Sequence, residues 1–85
     1  MTVRELRNAL GMSQAMLARL CGVSLGAVVK WDSDVGKPSG ERAEIIQFMI
    51  SNVDALRVHD GRLLYVGELP KDVALPHGIV GIGAV

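Results

Sequence analysis

The segment Leu17–Trp31, LARLCGVSLGAVVKW, constrains the fold of this chain more than any other. Gly22 interrupts two helix-forming runs, and Ser24, two residues later, is suited to cap the second of them. Helices joined by so short a turn must approach closely, and the residue types answer that demand. Ala18 is small where the two helices meet. Gly22 sits where the turn needs a positive φ, which glycine adopts without a Cβ clash. Val23 fills the space below the turn, and Val28 and Trp31 lie three apart on the side that faces a core.

The rest of the chain leaves room for one small domain: 85 residues, of which 49% are hydrophobic. A chain of this size often gains stability by dimerising. The apolar runs fall short of membrane-spanning length, and MTVRELRNAL is too charged for a signal peptide, so no membrane association is expected. A single cysteine, Cys21, fits a reducing cytoplasm and reads as a small buried hydrophobe. Net charge is zero, with six basic against five acidic side chains in 1–50 and three against four in 51–85. A non-specific nucleic-acid coat would be strongly basic, and this chain is not.

Hydrophobic spacing organises the chain into helices followed by a hairpin. Thr2 and Glu5 form a capping-box pattern ahead of Val3, Leu6 and Leu10. Gly11 stops that helix, and Ser13 caps a second with Met16, Leu17 and Leu20 inward. Lys37-Pro38-Ser39-Gly40 is a loop, with Ser39 starting a fourth helix. Its apolar face, Ile46, Met49, Ile50 and Val53 widened by Ile45 and Phe48, is broad enough to touch the bundle on one side and a hairpin or second subunit on the other. From Ala55 the period changes to two, and Asp60-Gly61 joins two β-prone runs. Leu56 and Val58 share a face on the first strand, as do Leu64 and Val66 on the second. The apolar LPHGIVGIGAV that follows is compatible with a third strand, an arm or a loose tail; the role of 76–85 stays open. The expected fold is mainly α with a small β element: a compact four-to-five-helix bundle over 1–53, then a hairpin and apolar tail over 54–85 as a dimerisation element.

MSQAMLARLCGVSLGAVVKWDSDVGKP, preceded by RELRNALG, resembles the helix–turn–helix family of phage Cro and repressor proteins and bacterial Xre-type regulators. The likeness covers about the first fifty residues. SQ opening the second helix, LA within it, GVS at the turn, Trp31 closing the third helix and Pro38 seven residues later all stand in register. The resemblance implies a cytoplasmic, sequence-specific transcriptional regulator, a repressor that binds double-stranded DNA as a homodimer on inverted-repeat operators. By position, Ser24, Leu25, Gly26, Ala27 and Lys30 would face DNA. Gln14 would contact a phosphate and brace the reading helix, and Lys37 and Arg42 would flank the groove near phosphates. Leu56, Val58, Leu64 and Val66 would carry dimerisation.

Two departures stand out. Asp34 occupies a position where relatives usually have glycine; aspartate tolerates left-handed φ better than most residues. The reading face itself lacks the Arg–guanine and Gln–adenine pairs that dominate direct readout. Leucine and alanine can instead touch thymine methyl groups, Gly26 admits close backbone approach, and Lys30 supplies a polar contact. The alternative is a protein-interaction module on the same scaffold, such as an antitoxin or a phage-encoded inhibitor of a host protein. No catalytic constellation, cofactor motif or metal-ligand spacing occurs: His59-Asp60 belongs to a hairpin tip, His77 to a loop, and Arg4, Arg7 and Arg19 read as solvated charges.

Overall fold

A computed structural model describes residues 1–69 and 71–83. Pro70, Ala84 and Val85, which belong to the expected 54–85 unit, lie outside the described residues.

Three short helices are each opened by a hydroxyl and two of them closed by a glycine. Before α1 (Val3–Leu10), the Glu5 amide donates to the Thr2 hydroxyl at 3.1 Å and the Thr2 amide to the Glu5 carboxylate at 2.8 Å. Ser13 accepts from the Met16 amide at 3.0 Å ahead of α2 (Gln14–Cys21), and Ser24 from the Ala27 amide at 3.2 Å ahead of α3 (Leu25–Asp32). Gly11 and Gly22 end α1 and α2 at φ 67°. Each forms the left-handed cap that lets its amide reach back to the helix's last carbonyls. α4 spans Gly40–Ser51. Ser39 holds its N-cap position, but the hydroxyl makes no capping hydrogen bond.

Leu6, Leu17, Val28 and Met49, one from each helix, are fully buried together and form the centre of the core. A 3₁₀ turn, Val53–Ala55, leads into β1 (Leu56–His59), which pairs antiparallel with β2 (Arg62–Tyr65). Asp60 and Gly61 both take positive φ, 52° and 71°, the type I′ geometry that matches strand twist. Arg19 fastens the hairpin tip to α2, its Nη2 donating to the Gly61 carbonyl at 2.6 Å. The segment left open between strand, arm and tail supplies β3 (Ile79–Gly81), parallel to β2, so the sheet order is β1-β2-β3.

Leu56, Leu63, Tyr65 and Ile79 point into the core, and Tyr65 lies 6.2 Å from the Phe48 ring, centroid to centroid. This contact gives the broad face of α4 its second neighbour. The hairpin register keeps Leu56 with Val58 and Leu64 with Val66, as expected, and sets the two pairs on opposite faces. Leu56 pairs with Tyr65 and Val58 with Leu63, so these four share the inner face, whereas Leu64 and Val66 alternate onto the outer one. The four residues expected to carry dimerisation therefore divide between two faces. Leu56, 1% exposed, belongs to the chain's own core.

Candidate nucleic-acid interface

α3 has two contrasting sides. Val28, Trp31 and Asp32 face inward and are buried. Leu25, Gly26, Val29 and Lys30 face solvent, with Leu25 51% and Val29 42% exposed. The spacing accounts for this, since residues three and four apart share a helix face. Ala27 lies half-buried between the sides, and the Ser24 hydroxyl is engaged in the cap. Gly26 is not required by packing: a Cβ there would meet only the Ser24 hydroxyl, at 3.9 Å. Its backbone is simply left bare.

The end of α3 is held by a polar cluster that the sequence reading missed. Asp32 accepts from Arg7 Nε at 3.1 Å, pairs with Arg7 Nη2, and accepts from Gln14 Nε2 at 2.8 Å. Arg7 Nη1 also donates to the Met12 carbonyl at 3.0 Å. One carboxylate thus joins α1, α2 and the turn between them to the last residue of α3. Burial pushes the Asp32 carboxyl up, but hydrogen bonds from Arg7 and Gln14, with the charges of Arg7 and Arg4, outweigh it and hold the group below its ordinary 3.8. Arg7 is consequently a structural residue and not a solvated charge. The only sequence hint was an arginine and an aspartate each at a helix position one turn from a core residue.

Beyond α3, Asp34 adopts φ 59°, the left-handed conformation that the missing glycine would have taken. The turn survives the substitution: the Val35 and Gly36 amides donate to the Lys30 carbonyl at 3.0 and 3.3 Å. Lys37 in the following loop and Arg42 on α4 are exposed. Gln14, half-buried, directs one amide proton to Asp32 and so links the start of α2 to α3. Cys21 is buried, and burial pushes its thiol up against the opposing influence of Arg42; an unreactive thiol follows.

The arrangement presents one rigid helix whose outward chemistry is two aliphatic side chains, a bare glycine and one lysine. It can make van der Waals contact with methyl groups and one charged contact. Among the described residues, no three His, Cys, Asp or Glu side chains gather as a metal site, and no helix is long and apolar enough to cross a membrane. A comparison with protein families finds that the family model described as Helix-turn-helix matches residues 3–47, just over half of the chain. No curated protein and no solved structure matches.

Proposed function

The chain belongs to the helix–turn–helix family of Cro/repressor and Xre-type DNA-binding regulators, and on that premise we propose that it is a transcriptional repressor acting as a homodimer on an inverted-repeat operator. The observation that carries this reading is the division of α3, locked on its inner side by Val28, Trp31 and the Asp32 cluster and unencumbered on its outer side. A helix so held enters a major groove without rearrangement, so little ordering entropy is lost on binding.

Leu25 and Ala27 would contact thymine methyl groups, Gly26 would let the backbone approach the base edges, and Lys30 would reach a base or phosphate oxygen. Ser24, at the head of α3, would lie nearest the groove floor. Gln14, Lys37 and Arg42 would meet phosphates, setting register and orientation without reading sequence. Two subunits related by a two-fold axis would place half-sites one helical turn apart, about 34–36 Å. Because the apolar face adds little discrimination by hydrogen bonds, DNA shape and deformability between the half-sites would contribute to specificity. The site of action is the cytoplasm, and no catalysis is part of the reading.

The salt dependence of binding tests it. With about six phosphates neutralised per dimer, log K should fall against log salt with a slope near −5. A slope near zero contradicts the reading. The exposed Leu25, Val29 and Val35 favour a second reading, in which α3 docks an apolar protein surface as an antitoxin or an inhibitor of a host factor. A folded protein without salt-dependent DNA affinity would support that one.

A further inference from the structure

A cleft of about 350 Å³ opens where the start of α1, the end of α3, the loop after it and α4 meet, a size at the small end of the range for ligand sites. Val3 of α1 and Ile46 and Ile50 of α4 give it apolar walls. Trp31 also lines it and is only 9% exposed. A tryptophan buried to that degree ordinarily pairs its indole N–H. Here the N–H finds no acceptor among the described residues, and none of their fully enclosed side-chain nitrogens and oxygens lacks a partner. The indole N–H therefore lies at the surface, and the surface that Trp31 lines is the cleft.

Two charged side chains stand on the rim. Lys37 and Asp34 are both exposed, and neither makes an ion pair among the described residues. The Lys37 ammonium is a point charge on a flexible stem that can turn over the opening. The Asp34 carboxyl, on a short side chain, stays close to its left-handed backbone. The wall they share is tied to the outward side of α3. The Val35 and Gly36 amides donate to the Lys30 carbonyl, and a Cβ on Gly36, which also lines the cleft, would stand 3.7 Å from the Lys30 Cβ.

We infer that the cleft binds a small carboxylate with an apolar body. The body rests on Trp31, Ile46 and Ile50, and the carboxylate accepts from the indole N–H and the Lys37 ammonium. Two unpaired donors at one opening select an anion, and the aliphatic walls select what carries it. Asp34 opposes that charge and limits the affinity. The inference deepens the regulator of the proposed function and rests on that reading for its consequence. A carboxylate on Lys37 competes with the DNA phosphate proposed for the same side chain, so ligand and DNA each weaken the binding of the other.

Trp31 is the single tryptophan of the chain, so its fluorescence reports the site in the full protein without DNA. Phenylacetate should give a saturable change with a Kd below about 1 mM, and phenylacetamide, its uncharged isostere, should bind at least about threefold more weakly. Lys37→Ala should abolish that preference. Asp34→Asn, which keeps a residue suited to left-handed φ, should enlarge it. Ala43→Leu, which fills the cleft from α4, should remove the binding of both. If that variant fails to fold by circular dichroism, the two exposed positions decide. No saturable change up to about 10 mM phenylacetate or hexanoate, or equal binding of acid and amide by the wild type, overturns the inference. With a duplex that the protein binds, saturating phenylacetate should weaken DNA affinity about threefold, and an unchanged affinity overturns the coupling. Carboxylate binding without DNA affinity would sink only the regulator, and a DNA-binding protein indifferent to carboxylates would sink only this inference.

Discussion

Asp32 and Leu25 stand at opposite ends of the same eight-residue helix, and their surroundings could hardly differ more. Around Asp32, an arginine and a glutamine converge on one buried carboxylate. Around Leu25, there is an exposed aliphatic surface, a glycine and a lysine. The polar groups of this region are turned inward, to fix where the helix points. Accuracy of placement and chemistry of contact are thus assigned to different residues. A rigid helix can discriminate with methyl contacts because shape complementarity needs position more than it needs donors.

The strongest way to break that contrast is to remove the inner end. Asp32→Ala strands the Arg7 guanidinium and should lower stability by about 3–5 kcal/mol in denaturant unfolding. A loss below about 1 kcal/mol would mean that the cluster does not hold α3, since even one ordinary hydrogen bond contributes that much. Gly22→Val attacks the other support of the helix, the left-handed turn, and should destabilise by about 1–3 kcal/mol. An unaltered melting temperature would show that the turn tolerates a β-branched side chain at φ 67°.

Changes at the outer end should leave the fold intact and alter binding. Gly26→Ala is the sharpest, because its two effects have opposite signs. Alanine should stabilise the helix by about 0.5–1 kcal/mol, as among the described residues its Cβ would meet only the Ser24 hydroxyl, at 3.9 Å. It should also weaken DNA binding by holding the backbone away from the groove. Equal or tighter binding would remove close approach from the account. Lys30→Ala should keep the melting temperature and reduce the salt slope by about one unit per subunit. An unchanged slope would take Lys30 off the interface.

The smallest effect is an acid limb. The folded Asp32 carboxyl titrates below its unfolded value of 3.8, so its contribution is complete above that pH and disappears as pH falls through the lower folded value. Asp32→Asn should abolish that part of the acid transition. An identical acid profile in the variant would assign it to other carboxylates.

Much of the helical half was legible because its signals are local. Thr2, Ser13, Gly11, Gly22 and Ser24 each act within four residues of where they stand, and Asp60-Gly61 sets its own turn. What escaped is non-local. Arg7 meets Asp32 across 25 positions, and no spacing rule announces a pair that the bundle itself creates. Likewise β3 pairs with β2 in parallel across a long connection, where turn chemistry offers no register. The inner face of β2 was ambiguous for a simpler reason. Leu63, Leu64, Tyr65 and Val66 are consecutive apolar residues, so a period of two fits either parity, and only packing against Phe48 and the core selects Leu63 and Tyr65.

On the proposed function, the outer face of α3 reads DNA. Selection of bound sequences from a random double-stranded pool at near-physiological salt tests it most directly. An enriched inverted repeat is expected, with half-site centres about one helical turn apart and thymines where Leu25 and Ala27 would touch. A folded protein that enriches no sequence would contradict it and assign the apolar face of α3 to a protein partner.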